Sequence, residues 1–271
     1  MDIQIIGMGI VGKAQAKVMQ KLGHRVTGCD VRPSSFDGIQ INDKPCNHAD
    51  LTFVCAPEKV VPDIISNLVN GKVHNPYVIK STVPPGTTRA AMLKHNVHIC
   101  HNPEFLREET FIEDALNQKF VIIGECCAEH GDLLAKVYEP MGVKIIRTDP
   151  NTSEMAKLVL NNYLATLITF WNEVDKICNI LGLETKDVAE IVKQDGRISE
   201  YGTAFFGQPF SGKCLPKDLD QTIMLCRSKG LPINLFETVK ELNTELKVLN
   251  TFGTKVLFNN SEKIAVPVGN K

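Results

Sequence analysis

Met1-Asp2-Ile3-Gln4-Ile5-Ile6-Gly7-Met8-Gly9-Ile10-Val11-Gly12 is the stretch whose reading decides the fold. Ile3 to Ile6 is a short run dominated by β-branched residues, which favour extended backbone. It stops at three glycines spaced G-x-G-x-x-G, and apolar residues then recur with helical period from Val11 to Leu22. The spacing is informative because it joins a strand to a helix. Gly7 permits the tight turn, and Gly9 lets a pyrophosphate approach the backbone at a helix N-terminus, where an anion is favoured.

Working outward, Asp30 ends the next extended run, Arg25 to Cys29. A carboxylate there can accept both hydroxyls of an adenosine ribose and would repel a 2′-phosphate, so the expected cofactor is NAD. Arg32 is the one neighbour that would suit NADP. The competing reading of Asp30 is a turn former ahead of Pro33.

Further runs read as strands over Leu51 to Cys55, Tyr77 to Lys80, Phe120 to Ile123 and Lys144 to Ile146. Helical patterns fill Lys59 to Leu68, Thr87 to Lys94 and Glu129 to Tyr138 between them. The expected fold class is α/β: an N-terminal Rossmann-like, doubly wound parallel sheet. Past Asn151 the strands vanish. Thr152 or Ser153 can cap a long helix ending near Gly182, followed by helices over Lys186 to Lys193, Lys217 to Lys229 and Asn234 to Leu249. The expected domains are therefore 1–150 for the sheet, 151–250 for a small all-helical domain around a long central helix, and 251–271 for a tail.

Composition narrows the function. Lys plus Arg is 30 against 31 for Asp plus Glu, with no block of basic residues, so nucleic acid is not an expected partner. No run approaches about 18 uninterrupted apolar residues, and Asp2 sits where a secretory leader needs cations, so a cytoplasmic protein is expected. The 9 cysteines include no Cys-x-x-Cys pair and read as reduced thiols. His98-Ile99-Cys100-His101 and Cys126-Cys127 look metal-like, but neither supplies two separated ligand pairs, so they read as buried or incidental side chains and no metal is expected.

Gly212-Lys213-Cys214-Leu215-Pro216-Lys217-Asp218 places a cysteine just ahead of Pro216, a residue favoured in a first helical turn. The helix N-terminus, Lys213 and Lys217 all favour thiolate, which makes Cys214 the cysteine expected to react. Asp218 reads either as a partner of the helix dipole or as an acid beside the sulfur. Lys157 and Asn161 are i, i+4 on the long helix and share a face, and Glu104 and Glu108 are spaced to do the same. Ser81-Thr82-Val83-Pro84-Pro85-Gly86 follows a strand at its carboxyl end, where ligands of doubly wound sheets collect, so Thr82 belongs near a nicotinamide.

Together these stretches resemble the UDP-glucose/GDP-mannose dehydrogenase family, closest to its UDP-glucose 6-dehydrogenase branch. The likeness runs from Met1 to about Lys247 and includes Asn102-Pro103-Glu104-Phe105-Leu106-Arg107-Glu108, Lys157-Leu158-Val159-Leu160-Asn161-Asn162 and Asp195-Gly196-Arg197-Ile198. The resemblance implies an NAD-dependent, four-electron oxidation of a nucleotide sugar's C6 alcohol to a carboxylate. Cys214 attacks the intermediate aldehyde, and a thioester is then hydrolysed. Lys157 and Asn161 match positions that steady the oxyanion, Asp218 the carboxylate that organises the base and water, and Glu104 the one linked to thioester hydrolysis. Cofactor contacts are implied at Gly7, Met8, Gly9, Ile10, Val11, Gly12, Asp30, Arg32, Ala56, Pro57, Ser81, Thr82, Glu108 and Lys217. Substrate contacts are implied at Glu104, Phe105, Leu106, Lys157, Asn161, Phe210 and Gly212. Arg197 matches an arginine that reaches a neighbouring subunit's substrate, so a homodimer built on the long helix is implied.

Two departures from the family stand out. Pro209 and Ser211 stiffen a loop that is usually richer in glycine, which bears on how the sugar is oriented. Residues 261–271 resemble the start of a third, nucleotide-sugar-binding domain, most of whose grip is then expected to be absent or supplied by another chain. A UDP-N-acetylmannosamine or GDP-mannose dehydrogenase stays open beside the UDP-glucose enzyme, and two rivals of other kinds remain at this point. One is a β-hydroxyacid dehydrogenase of the 6-phosphogluconate type, which shares the glycine loop and a Lys-x-x-x-Asn helix. The other is a catalytically silent NAD-binding subunit.

Overall fold

Successive isoleucines of β1 (Asp2–Ile6) serve different cores: Ile3 and Ile5 pack on one face of the sheet and Ile6 on the other. A strand buried on both faces is what a sheet covered by helices requires. The computed structural model describes residues 1–73 and 76–252. They fall into two units, Met1–Leu160 and a second beginning at Asn161.

In the first unit, α1 (Ile10–Lys21) leads to β2 (Arg25–Cys29), the pair β3 (Ser34–Phe36) and β4 (Ile39–Asn42), and then β5 (Leu51–Val54). A 3-10 turn at Glu58–Val60 opens into α2 (Val61–Asn70), followed by β6 (Tyr77–Ile79), α3 (Thr87–His95) and β7 (Ile99–His101). The unit continues through α4 (Phe111–Leu116), β8 (Phe120–Gly124), α5 (Ala128–Tyr138) and β9 (Lys144–Thr148). Strand order is β3-β4-β2-β1-β5-β6-β7-β8-β9. The chain starts at β1, moves out through β2 and β4, then returns to β5 on the far side of β1. The strand order therefore reverses between β1 and β5, and the loops leaving their carboxyl ends border the crevice where doubly wound sheets take ligands. Side chains of α1, α4 and α5 cover one face, and those of α2 and α3 the other.

The doubly wound sheet is as expected, with three local differences. Residues 34–42 form a hairpin with Asp37 and Gly38 at φ 50° and 79°, the left-handed pair that a two-residue turn needs. β7 is a strand where the sequence reading placed none, only buried or incidental side chains, and α4 was not anticipated. Finally, β8 runs antiparallel to β7, so the sheet is parallel on either side of that seam but not across it.

α6 (Pro150–Leu181) runs from the first unit into the second. Its start is capped by Asp149, whose Oδ1 accepts the N–H groups of Asn151 and Thr152 at 3.0 and 3.2 Å. The cap is thus Asp149 and not Thr152 or Ser153, and Pro150 takes the first-turn place that its fixed φ suits. The second unit adds α7 (Thr185–Val192), α8 (Cys214–Ser228) and α9 (Asn234–Phe252), and its described residues form no strand. Its core gathers Ala165 and Ile168 from α6, Phe210 from the loop before α8, Leu219 and Ile223 from α8 itself, and Val239 from α9. The expected tail lies, from residue 253 on, outside the described residues.

Candidate active site

The glycine loop has the shape its spacing predicts. Gly7 sits at φ +89°, and a Cβ there would lie 2.8 Å from the Cys55 carbonyl oxygen; at Gly12 it would lie 1.9 Å from that of Gly7. At Gly9 a Cβ would meet nothing within 4 Å. Two glycines are therefore demanded by the protein's own packing, while the third leaves open space at the N-terminus of α1, an end of a helix that favours an anion. Asp30 does more than cap a turn: Oδ2 accepts the Met8 N–H at 2.7 Å and Oδ1 the Arg32 N–H at 3.3 Å. The loop and the Asp30 carboxylate are thus one hydrogen-bonded assembly. Ile10 and Val11 open α1 beside it, and the Arg32 side chain is exposed.

Beyond β5 and β6, Ser81 Oγ donates to the Ala56 carbonyl at 2.5 Å, tying Cys55-Ala56-Pro57 to Ser81-Thr82. Thr82 is half-buried at the carboxyl end of β6. Glu154, which sequence reasoning passed over, is fully buried and accepts from the Gly86 N–H at 2.6 Å and the Thr88 N–H at 2.8 Å. A helical residue of α6 thereby caps α3 and fixes the loop that carries Thr82.

Glu104 and Lys157 form the chemical centre of this unit. Both are buried, with Nζ 3.5 Å from Oε1, and the ammonium lies 5.1 Å from the centroid of the Phe105 ring. Glu104 Oε2 also accepts the Leu106 N–H at 2.7 Å. The expectation that Glu104 and Glu108 share a helix face fails, because residues 102–107 are irregular. Pro103 lacks an N–H, Glu104 turns back onto its own backbone, and Arg107 is drawn to Asp114. Glu104 is buried and Glu108 exposed.

A second residue that the sequence reading missed is Lys80, buried beside this pair with Nζ donating to Asn102 Oδ1 at 2.9 Å. Burial pulls its pKa down to about 8, with Lys157 pushing the same way and Glu104 opposing. The signal was an ammonium closing an apolar strand, Tyr77-Val78-Ile79-Lys80. His101, bonded to Ser153 Oγ at 2.8 Å, is held neutral by burial, its pKa lowered to about 3.

In the second unit, Cys214 is the first residue of α8 and is exposed. The helix starts earlier than expected, so the thiol belongs to the first turn itself, where the positive end of the helix dipole favours an anion. One turn on, Asp218 is 1% exposed. Its Oδ2 accepts a short hydrogen bond from Asn161 Nδ2, and Lys217 Nζ lies 2.8 Å from Oδ1. Of the two readings of Asp218, a buried carboxylate held by an amide and an ammonium is far more than a dipole partner. Such a group can hold a water or a proton in a fixed place. Gly212, at φ +74°, is exposed beside the thiol. Phe210, expected at the substrate, instead has its side chain packed in the helical core, with its carbonyl accepting from Asn243 at 3.1 Å. Arg197 is exposed and paired with Asp195.

The two metal-like stretches do not stay incidental. Their His98, Cys126 and Cys127 converge with His130, which was not singled out, whereas Cys100 and His101 are buried in the sheet. None of the 9 cysteines, all among the described residues, is joined in a disulfide. No described helix is long and apolar enough to cross a membrane.

Two family models match the chain: the NAD binding domain of the UDP-glucose/GDP-mannose dehydrogenase family over residues 41–142, and its central domain over 151–245. UDP-glucose 6-dehydrogenase of Rickettsia prowazekii (strain Madrid E) is 33% identical over 90% of this chain and 67% of its own length. UDP-glucose 6-dehydrogenase TuaD of Bacillus subtilis (strain 168) is 28% identical over 91% of this chain and 63% of its own. The solved UDP-glucose dehydrogenase of Pyrobaculum islandicum superposes with a TM-score of 0.81 at 27% identity, covering 90% of this chain and 68% of that one. The chain thus spans about two thirds of the length of the curated relatives it matches.

Proposed function

Because the chain belongs to the UDP-glucose/GDP-mannose dehydrogenase family, with NAD as its cofactor, we propose that it oxidises the C6 alcohol of a nucleotide sugar to the carboxylate. UDP-glucose is the substrate put forward, since both curated relatives above carry that name. One observation carries the reading. A cysteine opens α8, and one turn further along that helix the buried Asp218 is held by Asn161 of α6 and by Lys217. A β-hydroxyacid dehydrogenase has no use for that cysteine.

The overall change is R–CH2OH + 2 NAD+ + H2O → R–COO− + 2 NADH + 3 H+. Bound NAD supplies the hydride acceptor for each of the two oxidations. We assign Cys214 as the nucleophile: its sulfur adds to C6 of the intermediate aldehyde, and the thiohemiacetal is oxidised to a thioester. Water then adds to the thioester carbon, the C–S bond breaks, and the thiolate returns. Lys157 and Asn161 donate to the oxygen on C6 as it gains charge, a contribution commonly worth about 3–4 kcal/mol per donor. Asp218 positions and deprotonates the water, and Glu104 assists the hydrolysis. Thr82 and Glu108 contact the nicotinamide side of the cofactor, Lys217 also contacts the cofactor, and Gly212 lies along the sugar.

The subunit arrangement we favour is a homodimer on α6. Tyr163, Phe170 and Ile177 recur every seven residues and are 53%, 57% and 57% exposed, an apolar stripe of the kind that association buries. Arg197 then serves the partner's substrate. We place the enzyme in the cytoplasm.

Incubation with NAD and UDP-glucose, GDP-mannose or UDP-N-acetylmannosamine tests the proposal. The expected result is two NADH and one uronate per UDP-glucose, with no acid product from Cys214→Ala. A single NADH per turnover that survives thiol alkylation would overturn it.

A further inference from the structure

His98 enters β7, Cys126 and Cys127 join β8 to α5, and His130 lies in the first turn of α5. Because β7 and β8 are antiparallel, the loop leaving β8 folds back beside the residue entering β7. This is the amino end of β7, at the opposite edge of the sheet from the glycine loop. Cys126 Sγ stands 3.4 Å from His130 Nδ1 and 3.8 Å from His98 Nδ1. Cys127 Sγ stands 3.0 and 4.0 Å from the same two nitrogens, and the sulfurs are 3.9 Å apart. An ion held tetrahedrally at about 2.3 Å from sulfur and about 2.0–2.1 Å from nitrogen sets its ligand atoms about 3.3–3.8 Å apart. Five of the six edges of such a tetrahedron thus stand at 3.0–4.0 Å, and all four ligand atoms lie within 4.8 Å of one another. Mutual hydrogen bonding gives two thiols and two imidazoles little reason to converge on one point, since a thiol is a weak donor.

We propose that His98, Cys126, Cys127 and His130 bind one divalent transition-metal ion, zinc foremost, in a closed structural site. Binding exchanges the ion's waters for two thiolates and two neutral imidazoles and releases the two thiol protons, with no change of oxidation state. Two thiolates neutralise the charge, and four protein ligands leave no open position, so the site is a brace and not a catalyst. Its place suits that role. The β7–β8 ladder consists of the single pair His101–Gly124, so the seam joining β8 and β9 to the rest of the sheet gains most from a clasp. The ligand loop is also fixed from its other side: Arg147 pairs with Glu125 and Asp132 and donates to the Ala128 carbonyl at 3.2 Å. Such support keeps ligands oriented before the ion arrives.

Elemental analysis of full-length protein, expressed with zinc and purified without chelator, is expected to find one zinc ion per chain. After chelation under reducing conditions, Co2+ should give the ligand-field and thiolate charge-transfer bands of a tetrahedral site and saturate at one equivalent. Cys126→Ser with Cys127→Ser should lose the metal, His130→Ala should weaken it, and Cys214→Ala should keep it. Should the double variant fold poorly, Cys127→Ser and the wild-type cobalt spectrum decide the matter. Folded, reduced wild type that takes up no Co2+, or shows only octahedral bands, would overturn the site. So would a Cys100–Cys126 disulfide in zinc-supplied protein, whose sulfurs are 3.6 Å apart. None of these readouts involves the dehydrogenase reaction, so the site and the proposed function fail separately.

Discussion

Replacing Gly9 and Gly12 of the nucleotide loop by alanine, one at a time, should separate folding from cofactor binding. At Gly9 the added methyl meets no protein atom within 4 Å, and φ is −73°, which alanine adopts freely. The alanine restricts the unfolded chain, a gain of about 0.4–1 kcal/mol, and forfeits glycine's preference at the N-cap, a loss of similar size. Stability should therefore stay within about 1 kcal/mol of wild type. The same methyl fills the space a pyrophosphate needs. Losing one charge-assisted hydrogen bond there, about 1.5–3 kcal/mol, weakens NAD about 10- to 100-fold. At Gly12 the logic inverts, because the methyl would lie 1.9 Å from the Gly7 carbonyl oxygen, a backbone atom that cannot swing aside. Gly12→Ala should lose about 3 kcal/mol or more, beyond ordinary overpacking. Urea unfolding gives the stabilities, and calorimetry or NADH fluorescence gives the affinities. If Gly9→Ala binds NAD as wild type does, the phosphate does not approach that glycine, and the assignment of the loop is wrong.

Other perturbations test the buried charges. The Lys157–Glu104 pair, at 3.5 Å, carries about 5 kcal/mol of gross Coulomb energy at an effective dielectric of about 20. Breaking a buried pair from one side costs about 3–5 kcal/mol, so Lys157→Met should destabilise by that order in urea unfolding. Lys157→Met with Glu104→Gln should regain most of the loss, and equal losses in the two would contradict the buried pairing. In the reaction, Glu104→Gln should slow turnover about 100-fold or more and leave a sugar thioester on Cys214 visible by mass spectrometry; rapid turnover with no adduct would refute its role in hydrolysis. His101 has a folded pKa lowered to about 3 from an ordinary 6.5, so between those values the unfolded chain binds the extra proton. Stability should fall as pH drops below about 6.5, by about 1.4 kcal/mol per pH unit at most, levelling near pH 3. His101→Gln should remove that part of the slope.

The first half of the fold was legible where two periodicities meet. Isoleucines on β1, three glycines and the amphipathic α1 all specify one strand–turn–helix unit, and local signals that agree are hard to misread. The missed hairpin carried a signal of its own, Asp37-Gly38 between Phe36 and Ile39, but its strands are so short that no alternation develops. β7 was obscured because it has only three residues and ends in a histidine, a polar type that burial within a sheet accepts only when partners are supplied. The partner of His101, Ser153, lies far along the chain.

Long-range pairing also explains which site residues could be named. Cys214, Lys157 and Asn161 announce themselves by local context, since a helix start or an i, i+4 spacing is written in adjacent residues. Glu154 and Lys80 do not, because each acts on a loop or amide that only the folded sheet brings near. Asp30 falls between the two cases. Its position beyond the glycines predicts a ribose contact, but its bond to the Met8 N–H emerges only from the register of β1 with β2. That bond makes the acid part of the loop it was expected merely to face. Asp30→Ala should therefore loosen the pyrophosphate turn as well as the ribose contact. Its loss of NAD affinity should exceed that of Asp30→Asn, whose amide oxygen still accepts from Met8. Equal losses in the two variants, measured by calorimetry, would show that the brace contributes nothing and that the carboxylate acts on the ribose alone.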